Sequence, residues 1–94
     1  MYDVIFDKKS IEFLNSLDHK IKERIFKKII SAKEKPFRYF ERLKNRDEYK
    51  LRAGDYRIIA DIDGSSKIIN IRLIMHRKDI YKRLLGMKST SSRF

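Results

Sequence analysis

The first half of the chain places its hydrophobic residues at the spacing of helices. A short apolar stretch from Tyr2 to Phe6 predicts an N-terminal strand, and the Asp7 carboxylate that follows suits a helix N-cap. Beyond it, apolar residues recur every three or four positions, as in amphipathic helices, at Ile11, Leu14, Leu17, Ile21, Ile25 and Ile29. Asp18 interrupts this run and suits the N-cap of a second helix, from about His19 to Lys33. A hairpin of two helices is therefore expected, closed by Pro36 because proline cannot continue a helix.

The second half alternates apolar and polar residues with a period of two, which is typical of half-buried strands. Turns that contain glycine, at Ala53 to Asp55 and at Asp63 to Ser66, divide it into a meander whose last strand runs from Lys67 to His76. One face is predicted to be apolar and covered by the helices: Tyr49, Leu51, Tyr56, Ile58, Ala60, Ile62, Ile69, Ile71, Leu73 and Met75. The opposite, open face is predicted to carry Lys50, Arg52, Arg57, Ile59, Asp61, Asn70, Arg72, Ile74 and His76.

Helices that precede a run of strands predict an α+β domain, with a two-helix hairpin packed on one face of a mostly antiparallel four-stranded sheet. The predicted order is β-α-α-β-β-β plus a short C-terminal helix from Asp79 to Leu85, which Gly86 would end. Residues 37–47 form a connector that is expected to be pinned to the core by Phe37, Phe40 and Leu43. Residues 1–86 are predicted to form a single domain, and residues 87–94 a frayed tail.

The charge of the chain narrows the classes of partner. It contains 24 Lys and Arg against 13 Asp and Glu, a formal net charge of +11, while 41% of its residues are hydrophobic. A chain this basic and still this apolar is typical of a folded domain that binds a polyanion: nucleic acid, an acidic protein or a membrane surface. The N-terminus has neither a signal peptide nor a spanning segment, so a cytoplasmic location is expected. The absence of cysteine excludes disulfides.

The predicted open face concentrates the positive charge. Its basic members are Lys50, Arg52, Arg57, Arg72 and His76, and the chain continues from it with Arg77, Lys78, Tyr81, Lys82 and Arg83. Cations on neighbouring strands repel one another unless an anion compensates them, so a polyanionic ligand is one explanation of this face. Solvated surface charge is the alternative. No metal or other cofactor is predicted, because two histidines without cysteine do not make a closed zinc site.

Two segments of this region carry a resemblance to a known family. The run YKLRAGDYRIIADID and the later run HRKDIYKRL resemble the RelE/ParE toxin superfamily, in particular the archaeal RelE-like toxins of type II toxin-antitoxin systems. The resemblance extends over nearly the whole chain, and its motifs lie within about residues 46–83. It implies a ribosome-dependent endoribonuclease that cleaves messenger RNA, inhibits translation and is neutralised by a RelB-like antitoxin wrapped around the domain.

The resemblance also implies a set of site residues. The catalytic residues that it implies are Lys50, Arg52, Arg57, Arg77 and Tyr81. Other residues of the predicted open face and of the segment after it are expected to bind RNA: Arg72, His76, Lys78, Lys82 and Arg83. Cleavage by attack of a 2′-hydroxyl needs a base, stabilisation of charge on the phosphorane and an acid. Arg57 and Arg77 suit charge stabilisation, whereas Lys50 is the candidate base because neighbouring cations favour its neutral form. Tyr81 suits either base stacking or proton transfer.

The pattern leaves a second class of function open. The same superfamily contains ParE-like members that inhibit DNA gyrase, and the fold does not separate the two activities. A non-enzymatic gyrase inhibitor or a basic RNA-binding module is therefore the alternative. The role of His76, the order of the C-terminal helix and the stoichiometry with the antitoxin are left open by the sequence.

Overall fold

The structure, a computed structural model, describes residues 1–80 of the chain. Its elements are β1 (Asp3–Phe6), α1 (Lys8–Ser16), α2 (His19–Ser31), α3 (Pro36–Tyr39), β2 (Glu41–Arg42), β3 (Tyr49–Ala53), β4 (Tyr56–Asp63) and β5 (Ile68–His76). Residues 77–80 begin a further helix. The rest of the predicted C-terminal helix, the domain boundary at residue 86 and the predicted tail lie outside the described residues.

The five strands form one sheet in the order β1-β5-β4-β3-β2. β1 runs parallel to β5, and every other neighbouring pair is antiparallel. The predicted α+β class and the mostly antiparallel sheet are thus confirmed. The sheet has one strand more than predicted, because β2 consists of only two residues at its edge, too few to produce a period of two.

The helices begin and end close to the predicted positions. Asp18 caps α2 as expected, since its Oδ2 accepts a hydrogen bond of 3.2 Å from the backbone N–H of Lys20. Asp7 occupies the N-cap position of α1 but makes no such side-chain bond. Pro36 was expected to close the helical region, yet it starts α3, where its fixed φ and missing N–H suit a first helical position.

The helices cover one face of the sheet and bury the main core against it. The largest fully buried side chains of this core are Leu14 of α1, Ile25 and Ile29 of α2, and Leu51, Ile58, Ile69, Ile71 and Ile74 of the sheet. Burial of this many aliphatic side chains is the principal stabilising contribution to a domain of this size. None of the helices within residues 1–80 is long and apolar enough to cross a membrane.

A register shift in the sheet changes which residues of β5 face the helices. Ile59 pairs with Leu73, but the next residue, Ala60, pairs with Ile71, so that Arg72 is an extra residue in β5. Such a β-bulge breaks the strict alternation of faces. Beyond Arg72, Ile74 therefore joins the core on the helix-covered face.

The bulge corrects four predictions made from the alternation, and one of them is the predicted place of Ile74 on the open face. His76 pairs with Tyr56 and lies on the helix-covered side, where their rings are 5.3 Å apart, so its predicted place on the open face is wrong. Leu73 and Met75 pair with Ile59 and Arg57 and thus face the open side, not the helices. An alternating pattern cannot reveal such an exchange when apolar residues stand on both faces of a strand.

Candidate active site

Five of the predicted site residues and two apolar residues surround one cavity on the open face of the sheet. The cavity measures about 340 Å³ and is lined by Leu43, Lys50, Arg52, Arg57, Arg77, Lys78 and Ile80. We call it the basic cavity. β3 contributes Lys50 and Arg52, β4 contributes Arg57, and the helical turn after β5 contributes the remaining cations. The clustering predicted from the sequence is therefore present for these residues.

The strands hold the cations of the basic cavity directly beside one another. Arg52 and Arg57 are opposite partners in the β3–β4 ladder, and Lys50 lies two residues along β3 on the same face. Like charges at opposite positions destabilise a sheet. Within residues 1–80, no carboxylate forms an ion pair with Lys50, Arg52 or Arg57.

Arg57 is fixed by the turn that joins β3 to β4. Its side chain is buried, with 8% of the residue surface exposed, and Nη1 donates to the carbonyl oxygens of Gly54 at 2.8 Å and Tyr56 at 2.9 Å. Gly54 adopts a φ of +60°, which glycine tolerates far better than other residues. The turn thus orients carbonyl groups toward the guanidinium and holds Arg57 in a single position at the wall of the cavity.

Arg77 is anchored by its backbone and leaves most of its side chain exposed. Its N–H donates to the carbonyl oxygen of Asp55 at 2.7 Å, which ties the end of β5 to the β3–β4 turn. The guanidinium Nε lies 3.7 Å from Asp55 Oδ1, a long and exposed ion pair of small energy. Most of the donors of Arg77 therefore remain available to a ligand.

His76 has a structural place next to the basic cavity. Its Nδ1 accepts a hydrogen bond of 3.2 Å from the backbone N–H of Lys78, so it caps the helical turn that carries Arg77 and Lys78. Its ring packs edge-on against Tyr56, which in turn lies 6.3 Å from Phe13 of α1. These contacts orient the turn behind the cavity.

Arg72 is separated from the basic cavity by its ion pairs. Its Nε donates to Asp7 Oδ2 at 3.1 Å and its Nη1 donates to Asp61 Oδ2 at 2.6 Å. We call Arg72, Asp7 and Asp61 the Arg72 network. The hydrogen bond that Arg72 donates to Asp61 is the main reason that the pKa of Arg72 is raised, while partial burial acts in the opposite direction. The charge of Arg72 joins β5 to β4 and to the end of β1.

The cavity also contains residues that the sequence did not single out as functional. Leu43 and Ile80 give it two apolar walls. Glu41 of β2 lies opposite Lys50 in the ladder but is not among the lining residues. Leu43 was expected only to pin the connector to the core. The predicted residues Tyr81, Lys82 and Arg83 lie outside the described part of the chain.

The arrangement suits an anionic ligand that is bound by several guanidinium groups. Arginine stays protonated and donates two parallel hydrogen bonds to a phosphate. Donors that are already held in place when charge develops stabilise a transition state without further reorganisation. Within residues 1–80, no group of three or more His, Cys, Asp and Glu side chains is arranged to hold a metal ion.

Comparisons with known proteins are consistent with this geometry. The family model described as "ParE toxin of type II toxin-antitoxin system, parDE" matches residues 4–81. A search of curated protein sequences finds no match.

Solved structures of RelE toxins share the fold. In the RelBE2 toxin-antitoxin complex from Mycobacterium tuberculosis, the similar chain is 22% identical, with a TM-score of 0.74 over 80% of this chain and 96% of that chain. In the RelB-RelE complex from Methanococcus jannaschii, the similar chain is 25% identical, with a TM-score of 0.66 over 84% of this chain and 96% of that chain. In the intact RelBE complex of E. coli, the similar chain is 21% identical, with a TM-score of 0.69 over 81% of this chain and 96% of that chain.

Proposed function

Since the chain belongs to the ParE toxin family of type II toxin-antitoxin systems, we propose that it inhibits translation as a ribosome-dependent endoribonuclease that cleaves messenger RNA. The observation that carries this proposal is the basic cavity. Cations from β3, β4 and the turn after β5 converge there, and no acidic residue is among its lining residues within the described part of the chain. Such a cluster suits the phosphodiester of RNA better than it suits a neutral substrate.

The proposed reaction is an attack of a ribose 2′-oxygen on the adjacent phosphorus. The new bond joins the 2′-oxygen to phosphorus and the bond from phosphorus to the 5′-oxygen breaks, which leaves a 2′,3′-cyclic phosphate and a 5′-hydroxyl. Lys50 takes the proton from the 2′-hydroxyl. Tyr81 either supplies a proton to the departing 5′-oxygen or stacks on a base, in which case a water molecule supplies that proton. General acid and base groups of this kind contribute about 10²- to 10⁴-fold in rate.

Arg57 and Arg77 are proposed to bind the non-bridging oxygens of the reacting phosphate. The two carbonyl contacts of Arg57 hold it ready for this role, and the guanidinium of Arg77 lines the same cavity and is largely exposed. Arg52 and Lys78 would hold the neighbouring phosphates, since they line the same cavity. The ribosome would position the strand, because a small cavity with few fixed groups orients a flexible RNA poorly by itself.

We further propose that a RelB-like antitoxin wraps the domain. The complexes from M. tuberculosis, M. jannaschii and E. coli each pair a RelE toxin with its antitoxin. On this chain, the exposed apolar side chains Phe26 (45%) and Ile30 (37%) of α2 would receive the apolar face of an antitoxin segment. Its carboxylates would lie over the basic cavity and exclude RNA.

Inhibition of DNA gyrase without catalysis is the second candidate, because the matching family model is that of ParE. A cell-free translation reaction with one defined message, mapped by primer extension, separates the two functions. We expect cuts with 5′-hydroxyl ends in the translated message, none in the same message without ribosomes, and fewer cuts with Lys50→Met. An intact message together with inhibited supercoiling by purified gyrase would support the second candidate and reject the first.

A further inference from the structure

A second, larger groove lies between α2 and the edge of β3. It measures about 790 Å³, and its basic lining residues are Lys20, Arg24, Lys27, Lys28 and Arg52. We call it the α2 groove. The catalytic roles described above use none of these residues except Arg52. The charge of the helix surface in this groove is therefore not explained by the reaction.

The cations of α2 are spaced so that they line one side of the helix. Lys20, Arg24 and Lys27 follow one another at intervals of four and three residues, which places them along one face over a rise of roughly 10 Å. The acidic residue among the described lining residues is Glu23, and it pairs with Lys27 at 2.8 Å. The hydrogen bond from Lys27 lowers the pKa of Glu23. Most of the positive charge thus remains without a partner among the lining residues.

The α2 groove and the basic cavity meet at the β3–β4 turn. Arg52 lines both of them. Arg24 reaches from α2 to the other side of the turn, where its Nη1 lies 3.6 Å from the position that a side-chain Cβ at Gly54 would occupy. The carbonyl oxygen of the same glycine accepts the hydrogen bond from Arg57. A strand bound in the cavity can therefore pass over Arg52 into the groove without leaving positive surface.

We propose that the α2 groove binds the phosphodiester backbone of the RNA strand on one side of the bond held in the basic cavity. The identity of this strand as the cleaved message rests on the proposed function, whereas binding of RNA by the groove does not. Contacts of this kind are made to phosphates, so they bind irrespective of base sequence and weaken as salt is added.

The lining of the groove favours RNA over an acidic protein segment. Among its described lining residues, Ala53 has the only apolar side chain, and no aromatic residue is present. An amphipathic segment of an antitoxin needs an apolar surface for its hydrophobic anchors. That surface is offered by Phe26 and Ile30, which are not among the residues of the groove.

The test compares two variants that carry the same net charge. One has the groove lysines replaced, Lys20→Ser, Lys27→Ser and Lys28→Ser. The control has three exposed lysines outside both cavities replaced, Lys8→Ser, Lys9→Ser and Lys35→Ser. Binding is measured by fluorescence anisotropy with 2′-O-methyl RNA, which lacks the attacking hydroxyl and cannot be cut. Two lengths are used, about 4 and about 12 nucleotides, a range that spans known single-strand site sizes.

We expect the groove variant to bind the longer RNA about 10-fold or more weakly than the control at low salt, with little change for the shorter RNA. The slope of log Kd against log salt should fall by about 2, because each phosphate contact to a single strand contributes about 0.7. Circular dichroism spectra and melting temperatures should match between the variants, and Arg24→Gln provides a second variant on the same side of α2.

Equal affinities and slopes for the groove and control variants would overturn the proposal. It would also be overturned if the groove variant lost only the binding of polyglutamate, since the groove would then be a protein contact. Because the probe cannot be cleaved, these results do not depend on whether the protein cuts messages. If the parent protein did not cleave translated messages but the groove variant still bound the longer RNA more weakly than the control, only the proposed function would be rejected.

Discussion

Arg57 and Arg72 lie on neighbouring strands of the same sheet and differ in what surrounds their charge. Arg72 donates to two carboxylates, Asp7 and Asp61, and so links three parts of the chain. Arg57 donates to two backbone carbonyls and has Arg52 directly opposite it in the ladder. The Arg72 network is an electrostatically balanced part of the fold. The basic cavity concentrates charge that the fold does not balance.

The chain has a formal net charge of +11, and the contrast between the two arginines shows that part of this excess is concentrated in the basic cavity. Opposed cations on adjacent strands reduce stability, and a solvated surface would be more stable with the cations dispersed. Burial of Arg57 adds to this cost, because a buried charge needs hydrogen bonds to replace its hydration. An arrangement that lowers stability in this way is typical of a functional site.

The largest effect that separates the two regions should be on cleavage. We expect Arg57→Ala and Arg77→Ala each to slow cleavage of a translated message by about 100-fold or more, as loss of one charge-stabilising donor does elsewhere. Arg72→Ala should leave the rate nearly unchanged, because its guanidinium is occupied by Asp7 and Asp61. Initial rates from primer extension, together with growth after induction, measure the effect.

Arg57→Ala also removes two partly buried hydrogen bonds to backbone carbonyls, so the loss of activity must be separated from loss of folding. Arg57→Lys serves this purpose, since it keeps the charge and much of the volume but not the planar fork. Parental rates in both Arg57→Lys and Arg77→Ala would show that neither arginine binds the reacting phosphate.

The helices and strands were predictable because each has a clear period and recognisable ends. Asp18 at the start of α2 and the glycine turns of the meander are local signals, and both turns lie where the sequence placed them. The two-residue strand β2 and the short helix α3 were not predictable, since neither is long enough to show a period. Tertiary pairing with β3 determines β2.

The sequence predicted only some of the residues that form the site. Lys50, Arg52 and Arg57 follow a strict alternation, and the structure brings them together with Arg77. The alternation fails at Arg72 because the bulge there is required by the pairing of β5 with β4, which a single strand does not reveal. The positions of His76 and of Leu73 depend on this long-range pairing.

A smaller effect is expected on the free energy of unfolding, to which the Arg72 network should contribute although it does not contribute to cleavage. Arg72→Met should lower the free energy of unfolding by about 1 kcal/mol, since the ion pairs of the network are partly exposed. Urea unfolding monitored by circular dichroism measures this change. Asp61→Asn should destabilise the Arg72→Met variant less than it destabilises the parent, because its ion-pair partner is already absent. If Arg72→Met were fully stable but inactive, Arg72 would belong with the site residues.

The smallest effect concerns a paired charge on the loop beside the basic cavity. Arg46 donates to Glu48 through two bonds, Nε to Oε1 at 3.0 Å and Nη2 to Oε2 at 2.9 Å, and the side chains are only 14% and 17% exposed. The hydrogen bond from Arg46 lowers the pKa of Glu48, and burial partly opposes it. The Glu48 carbonyl also accepts from the N–H of Leu43, a wall of the cavity.

Since the pKa of Glu48 is lower in the folded state than in the unfolded state, the pair stabilises the fold above the unfolded pKa of about 4.3. This stabilisation is lost as the pH falls through the folded pKa. Glu48→Gln should therefore reduce the free energy of unfolding by about 0.5–1 kcal/mol at pH 7, and the difference from the parent should shrink steadily below about pH 4. Urea unfolding between these pH values measures it. A difference that stayed constant with pH would mean that the loop is held by packing alone. The ion pair of Arg46 with Glu48 would then not stabilise the fold, unlike the ion pairs of the Arg72 network.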